Sequence, residues 1–231
     1  MIDFDAIIFD FDGVLIESEF EGNRHLAELL TTLGYPTSVA EAIEHYTGLS
    51  GRDFVGAIEE RIGRELPAEF HQATRTLRDR SLREGIAAVA GAIQFVRALP
   101  PSIRRAVASS SSTRWVRTHL EHLGLAEAFE PHVYSGAEHV ERGKPEPDLY
   151  LHAARQLDVE IGRTVILEDS KVGASGALAS GATVIGLAAG RHCFDGHAGM
   201  LRSLGVEHVA HSFDEVARLL GLDQTSRRSP A

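Results

Sequence analysis

Two aspartates near the start of the chain are spaced so that they can act together chemically. A short apolar run at residues 6–9 leads directly into Asp10-Phe11-Asp12-Gly13. Side chains of an extended strand alternate with a period of two, so we expect Asp10 and Asp12 to project together at the strand's carboxyl end. Like charges so close repel, and their burial without a counterion is unfavourable. The pair therefore predicts a cation between the carboxylates, with a divalent metal ion as the natural candidate.

Other side chains able to do chemistry follow later apolar runs. Ser109 and Ser110 follow one such run, Lys144 lies between a glycine and a proline, and Glu168 and Asp169 follow another run. Parallel sheets bind ligands beyond the carboxyl ends of their strands, so parallel neighbours would bring these groups together. Acids suit an oxygen-preferring ion, and hydroxyls with a lysine suit an anion. The set predicts a magnesium-dependent phosphate site.

The composition argues against several classes of partner. The 231 residues carry a formal net charge of −10, which disfavours nucleic acid because binding a phosphate backbone needs a basic face. No apolar run approaches the roughly 18 residues of a membrane helix, so no membrane partner is expected. Cys193 is the only cysteine, which rules out an internal disulfide and favours a cytoplasmic location. Of 23 basic residues only Lys144 and Lys171 are lysines, and Lys144 falls at the predicted site.

A helical segment interrupts the chain after the first strand. Residues 18–84 carry helix signals only, among them a leucine stripe ending at Gly34 and a Ser38–Glu41 pair typical of a capping box. From residue 85 onward helices alternate with short β-rich runs, which indicates a parallel sheet. We predict an α/β fold with a doubly wound parallel sheet. Residues 1–17 and 85–223 form its core, 18–84 an inserted all-α domain, and 224–231 a flexible tail.

The individual elements follow from the same patterns. Strands are expected at residues 6–9, 104–108, 132–135, 164–167 and 183–186. Helices of the core are expected at about 88–99, 113–123, 147–157, 171–180 and 213–221. In the insert, Ser50 is expected to begin a helix that closes near Gly63, and Pro67 to stand in the first turn of the next.

The aspartate pair, the serines, the lysine and the later acids, in this order, resemble the motifs of the haloacid dehalogenase (HAD) superfamily of phosphotransferases. The resemblance covers residues 5 to about 221. It implies a Rossmann-like HAD core, with residues 18–84 as its α-helical cap domain. Each motif alone occurs often by chance, whereas four in order at strand ends are specific.

The resemblance also implies roles for the acids. Asp10 is the implied nucleophile, which forms an aspartyl-phosphate. Asp12 is the implied general acid and base, and its backbone carbonyl joins the metal shell. Asp10, Asp12, Glu168 and Asp169 together make up the implied Mg²⁺ site.

The remaining candidate residues would bind the phosphorylated substrate. Ser109 is implied to hydrogen-bond a phosphoryl oxygen, Ser110 to offer its backbone amide, and Lys144 to neutralise charge on Asp10 and the phosphoryl group. Ser109 as a helix cap and Lys144 as a surface charge are the structural alternatives. Arg52 has two open interpretations, a contact to a substrate phosphate or carboxylate and a salt bridge on a helix surface.

Differences from individual family members narrow the reaction. Dehalogenases of the family lack the second aspartate, so Asp12 argues against dehalogenation. Phosphonoacetaldehyde hydrolases use a cap lysine, and residues 18–84 contain none. Phosphomutases resembling β-phosphoglucomutase carry a histidine where this chain has Gly22 and an arginine where it has Gly51. We therefore expect a magnesium-dependent phosphatase for a sugar phosphate or sugar-acid phosphate, in the branch that resembles 6-phosphogluconate phosphatase.

Two alternative functions stay open at this point. One is a phosphomutase resembling β-phosphoglucomutase, and the other is a catalytically idle HAD-fold protein that binds a phosphorylated ligand and regulates a partner. The expected partner is a phosphorylated small molecule, and the expected state is a monomer or homodimer. Among the twelve histidines, His192 and His197 are assigned to the surface.

Overall fold

The computed structural model describes residues 2–47 and 51–222 of the chain. The expected helix start at Ser50, the end of the core at residue 223 and the tail at 224–231 lie outside these residues. Nothing in the described ranges tests those three expectations.

One sheet of six parallel strands organises the described residues. The strands are β1 Ala6–Phe9, β2 Arg104–Ser109, β3 Val133–Ser135, β4 Thr164–Glu168, β5 Thr183–Leu187 and β6 His208–Ala210. Their spatial order is β3-β2-β1-β4-β5-β6, and all neighbours are parallel. The order confirms the predicted doubly wound α/β fold, with the first strand inside the sheet. Strand β6 has no counterpart in the prediction, because three residues are too few to show an alternation.

Helices cover both faces of the sheet and fill the insert. In chain order they are α1 Ser18–Thr32, α2 Val39–Tyr46, α3 Gly51–Ile62, α4 Ala68–Glu84, α5 Ala92–Ala98, α6 Thr113–Leu123, α7 Ala126–Phe129, α8 Gly136–His139, α9 Asp148–Gln156, α10 Lys171–Ser180, α11 His197–Ser203 and α12 Phe213–Leu220. The short helices α7, α8 and α11 are absent from the prediction, because four to seven residues span too few turns to show a 3.6-residue period. Within the described ranges, no helix combines the length and apolar character that crossing a bilayer requires.

The first strand is buried on both faces. Ile7 and Phe9 belong to the hydrophobic cluster on one side of the sheet, and Ala6 and Ile8 belong to the cluster on the other. All four side chains are fully buried. Burial on both faces is typical of a central parallel strand. Asp10, which follows Phe9, therefore lies at the edge of a core from which water is excluded.

The chain leaves the core and returns to it at neighbouring points. The backbone N–H of Glu17 donates to the carbonyl of Ala87 at 2.9 Å. Ile16 and Ala88 form an antiparallel bridge next to this bond. These contacts lie where the sequence predicts the insert to begin and end, at 17/18 and 84/85. The division into two domains at those positions stays a prediction.

The helices between these two crossings have a hydrophobic cluster of their own. Its buried members are Leu26, Ala27, Leu30, Ala42, Tyr46, Ile58, Leu66 and Phe70. The predicted capping box is present at α2, where Ser38 Oγ accepts from the N–H of Glu41 and a Glu41 carboxylate oxygen accepts from the N–H of Ser38. Pro67 directly precedes α4, as expected.

Helix α10 packs closely against the backbone that follows Lys144. A Cβ atom added at Gly176 would stand 2.8 Å from the carbonyl oxygen of Pro145 and 3.0 Å from that of Glu146. Both separations are shorter than van der Waals contact, so only a residue without a side chain permits this approach. The fit holds the loop that carries Lys144 against the sheet.

The substitution Gly176→Ala tests this close approach. Overlap with backbone atoms costs about 1–3 kcal/mol, which outweighs the roughly 1 kcal/mol that alanine gains over glycine in a helix. We expect a lower free energy of unfolding in a urea titration. Gly162→Ala is the control, because a Cβ there meets nothing within 4 Å. Equal stability of the two variants would contradict the packing described.

Candidate active site

The register of the sheet brings the predicted residues to one edge. Phe9, the last residue of β1, pairs with Leu167 of β4. The N–H of Asp10 then donates to the Leu167 carbonyl at 2.9 Å, which sets Asp10 beside the end of β4. Glu168 ends β4, and Ser109 ends β2 on the other side of β1. The acids and the serine therefore surround the end of the first strand.

Lys144 is buried between two carboxylates. Its Nζ lies 2.5 Å from Oδ1 of Asp10 and 2.8 Å from Oε1 of Glu168, and its side chain is 3% exposed. Burial by itself lowers the pKa of Lys144, but the two carboxylates outweigh it and raise that pKa well above its ordinary value. Lys144 is therefore a buried ammonium, and its interpretation as a surface charge is wrong.

Glu168 links Lys144 to the start of α10. Besides the ammonium, its Oε1 accepts a hydrogen bond from the Tyr150 hydroxyl at 3.1 Å. Its Oε2 accepts from the backbone N–H of Ser170 at 2.8 Å and from the Ser170 hydroxyl at 3.0 Å. Ser170 in turn caps α10, because its Oγ accepts from the N–H of Gly173. Both oxygens of Glu168 are thus engaged by the protein.

The acids at this edge have the composition of a divalent-cation site. Carboxylate oxygens of Asp10, Glu168 and Asp169 lie within 4.8 Å of one another. When ionised, these three acids carry three negative charges, and Lys144 supplies one positive charge. Burial raises the pKa of Asp10 and of Asp169, and the negative charge of the neighbouring acids raises both further. The buried Oδ1 of Asp169 has no hydrogen-bond partner in the described residues. Mg²⁺ prefers hard oxygen donors, and its two positive charges would balance the excess negative charge of these acids.

Asp12 has surroundings unlike those of Asp10. Its Oδ1 accepts from Ser18 Oγ at 2.8 Å and from Trp115 Nε1 at 3.0 Å. Its Oδ2 accepts from Ser111 Oγ at 2.7 Å and from Ser109 Oγ at 3.3 Å. Sequence reasoning missed Ser18, Ser111 and Trp115 as partners of Asp12. The available signals were weak: Ser18 opens α1 just after the aspartates, and Ser111 lies in a serine run.

The three remaining candidates differ in position. Ser109 is buried, donates to Asp12 and accepts from the N–H of Ser111 at 2.9 Å. The helix cap of α6 is instead Ser112. Ser110 is exposed at the end of the strand. Arg52 is exposed on α3, and within residues 2–47 and 51–222 no hydrogen bond or ion pair links it to the other candidates.

Two histidines assigned to the surface by the sequence are buried beside Asp169, so that assignment is wrong. His192 Nε2 lies 2.8 Å from Oδ2 of Asp169, and His197 Nε2 lies 2.8 Å from its backbone oxygen. The two residues are 1% and 4% exposed. Burial lowers the pKa of both rings, because it disfavours the charged imidazolium.

Gly13 makes room for this arrangement. Its φ is +85°, in the left-handed region that favours glycine. A Cβ there would overlap the Asp169 carboxylate and stand 3.0 Å from Cε1 of His192. Gly13 thus opens the predicted turn after the aspartates, and it also lets Asp169 and His192 approach the turn's backbone.

A cavity of about 260 Å³ lies between α1 and α4, next to the partners of Asp12. Ser18 and Trp115 line its inner end. Apolar side chains form most of its wall, namely Leu26, Leu29, Tyr46, Phe54, Phe70, Leu77 and Ile86. Glu19 also lines the cavity, and burial raises its pKa to about 7. Arg78 lies over the Trp115 ring at 5.4 Å. The cavity has room for a small organic group beside Asp12.

Known proteins are similar to this chain in sequence and architecture. Hexitol phosphatase A of Escherichia coli K12 is 32% identical over 216 residues, which cover 91% of this chain and 92% of that protein. The 6-phosphogluconate phosphatase of the same strain is 23% identical over 189 residues, with coverages of 81% and 84%. A HAD family hydrolase from Deinococcus radiodurans R1, crystallised with bound phosphate and sodium, has a TM-score of 0.84 and 31% identity, with full coverage of both chains.

The family profile of haloacid dehalogenase-like hydrolases matches residues 7–187, a range that contains every site residue predicted from the sequence. The similar enzymes named above are phosphatases, which supports the predicted class of phosphoric monoester hydrolase. The predicted resemblance is confirmed, and the chain belongs to the haloacid dehalogenase-like hydrolase family.

Proposed function

We propose that the protein is a magnesium-dependent phosphatase that releases phosphate from a small phosphorylated metabolite through an aspartyl-phosphate. The observation that carries the proposal is the environment of Asp10. Lys144 fixes Oδ1 of Asp10 at 2.5 Å, while Oδ2 accepts no hydrogen bond from the described residues. One oxygen is thus held in place, and the other is free to attack phosphorus.

Asp10 and Asp12 would divide the reaction between them. In the first step Oδ2 of Asp10 forms a bond to phosphorus, the bond from phosphorus to the substrate's ester oxygen breaks, and Asp12 gives its proton to the departing alkoxide. In the second step Asp12 takes a proton from water, the water oxygen bonds to phosphorus, and the bond to Asp10 breaks. The products are an alcohol and inorganic phosphate, and both aspartates return to their starting states.

The chain's other polar groups support these steps. Lys144 offsets negative charge on Asp10 as the phosphate dianion approaches. The hydroxyls of Ser18, Ser109 and Ser111 orient Asp12. Asp10, Asp169 and the backbone carbonyl of Asp12 would hold Mg²⁺, and Glu168 would remain bonded to Lys144 beside them. When bound, Mg²⁺ supplies positive charge that offsets repulsion between the acids and the phosphoryl group.

The substrate's leaving group would occupy the cavity between α1 and α4. Ser18 and Trp115 connect this cavity to Asp12, the proposed proton donor. Similar proteins act on a hexitol phosphate and on 6-phosphogluconate, according to their names, which supports a sugar phosphate or sugar-acid phosphate. The higher identity to the hexitol phosphatase favours a neutral sugar or polyol over the sugar acid.

The phosphomutase alternative has less support. Gly22 lines the cavity but offers no side chain there, at the position where the resembling mutases carry a histidine. The second position, Gly51, begins α3 and equally offers no side chain. The second alternative is a catalytically idle protein that binds a phosphorylated ligand. It conflicts with the presence of Asp10, Asp12 and Lys144, because Lys144 contacts Asp10 and Ser18 contacts Asp12.

The variant Asp10→Asn tests the nucleophile. An amide has the shape of the carboxylate but cannot attack phosphorus, so we expect the kcat for hydrolysis of p-nitrophenyl phosphate with Mg²⁺ to fall by about 10³-fold or more. Phosphate release is followed by absorbance. Full activity of the variant, or wild-type activity after removal of Mg²⁺ with EDTA, contradicts the proposal.

Replacing the two lysines separately tests the buried charge balance. Lys144→Met leaves the carboxylates of Asp10 and Glu168 without their ammonium, so we expect a loss of about 3–5 kcal/mol in the free energy of unfolding without Mg²⁺. Lys171→Met is the matched control, because Lys171 is exposed and its loss should change that free energy by no more than about 0.5 kcal/mol. Urea titrations of both variants give the comparison. Equal stabilities would show that Lys144 does not compensate the buried acids.

A substrate panel tests the proposed specificity. We expect faster release of phosphate from neutral sugar and polyol phosphates than from a sugar-acid phosphate, as judged by kcat/KM with Mg²⁺. Incubation of glucose 1-phosphates with a bisphosphate primer serves as the mutase assay, and only free phosphate should appear. Isomerised sugar phosphate in that assay would overturn the assignment as a phosphatase.

A further inference from the structure

Two imidazole rings contact Asp169 from different sides. His192 reaches its carboxylate oxygen Oδ2, and His197 reaches its backbone oxygen, each at 2.8 Å. Neither histidine has a part in the proposed chemical steps. They come from the segment between β5 and α11 and from the first position of α11.

The hydrogen bond of His197 to Asp169 fixes which of its ring nitrogens carries the proton. A backbone carbonyl only accepts, so Nε2 of His197 must donate. Nε2 of His192 lies 2.8 Å from Oδ2 of Asp169 and 3.7 Å from Sγ of Cys193, so a proton on this nitrogen is in contact with the carboxylate. The Nδ1 atoms of both rings are buried and have no hydrogen-bond partner in the described part of the chain. His197 therefore donates to Asp169 through Nε2, and His192 contacts the Asp169 carboxylate through Nε2.

Glycines on two sides confine the His192 ring. A Cβ at Gly190 would stand 2.5 Å from Cε1 of this ring and 2.6 Å from its Nδ1. A Cβ at Gly13 would stand 3.0 Å from Cε1. The ring thus fills a slot that exists only because both positions lack side chains. A ring so confined holds the Nε2–H at one place relative to Asp169.

These contacts leave one oxygen of Asp169 unused. His192 takes Oδ2, while Oδ1 is buried without a partner in residues 2–47 and 51–222. Oδ1 is therefore the unbonded oxygen of a carboxylate that belongs to the cluster with Asp10 and Glu168. We propose that His192 and His197 are positioning residues, which hold Asp169 so that Oδ1 is ready to bind the metal ion. This inference rests on the proposed function, which assigns Asp169 to Mg²⁺.

The variants His192→Gln and His192→Asn separate positioning from packing. Both side chains are polar amides, but only glutamine places its NH₂ about where Nε2 of the histidine lies. Loss of a hydrogen-bonding partner behind a metal ligand typically weakens metal binding by about 10–100-fold. We expect His192→Asn to raise the Kd for Mg²⁺, measured by isothermal titration calorimetry, by that factor. His192→Gln should stay within about threefold of wild type.

Kinetic measurements on His192→Asn and Mg²⁺ binding by two further variants complete the test. At saturating Mg²⁺ we expect His192→Asn to recover most of its kcat, with the KM for p-nitrophenyl phosphate unchanged. Asp195→Asn, at an exposed position of the same segment, should keep the wild-type Kd for Mg²⁺. Gly190→Ala keeps both histidines but displaces the ring, and it should weaken Mg²⁺ binding as His192→Asn does.

Several results would overturn the inference. One is wild-type Mg²⁺ affinity in His192→Asn or Gly190→Ala, and another is equal impairment of the asparagine and glutamine variants at wild-type melting temperature. Equal weakening by Asp195→Asn would also do so, because it would show that any change in the segment disturbs Mg²⁺ binding. Asp169→Asn separates the two proposals. Retained Mg²⁺ affinity in that variant contradicts the proposed metal site itself, whereas its loss beside an unaffected His192→Asn contradicts only the positioning role.

Discussion

Three buried carboxylates share a single ammonium at the carboxyl ends of β1 and β4, and this excess of negative charge constrains the structure around it. Asp10 and Glu168 both contact Lys144, and Asp169 lies within the same cluster. Unpaired charges are costly in a dry core, so each acid needs a defined donor. The close packing of Gly176 holds the loop that carries the Lys144 donor, and the cap of α10 holds the Ser170 donor.

The two aspartates of the first motif differ because their neighbours differ. Asp10 contacts the Lys144 ammonium, which favours the ionised form that a nucleophile needs. Asp12 faces three hydroxyls and the Trp115 indole, which orient a carboxylate without bringing a formal charge to it. Two residues of separation in the chain are enough to divide nucleophilic attack from proton transfer, because Asp10 contacts Lys144 whereas Asp12 is bonded to Ser18 and Trp115, which line the cavity.

Sequence patterns predicted the central strand, most helices and the acidic cluster, because burial on both faces and strand-end acids are local signals. They missed β6, α7, α8 and α11, which are too short to display a period. The surroundings of Asp169 were missed for a different reason. His192 and His197 lie more than twenty residues from Asp169 in the chain, and nothing local distinguishes a buried histidine from ten others. Only the sheet order brings them together.

The hydrogen bond between Glu17 and Ala87 joins the points where the chain leaves the core and returns to it, and this affects how the inserted segment can change in length. Because the outgoing and incoming chains touch, the span that the insert must bridge is fixed and short, whatever the number of residues between them. Loop-closure entropy then changes by only about 0.6 kcal/mol for each doubling of insert length. The helical segment between Glu17 and Ala87 can therefore be lengthened, shortened or exchanged while the strands that carry the reacting groups keep their register. Such a change can accommodate a new leaving group and leave the reacting residues as they are.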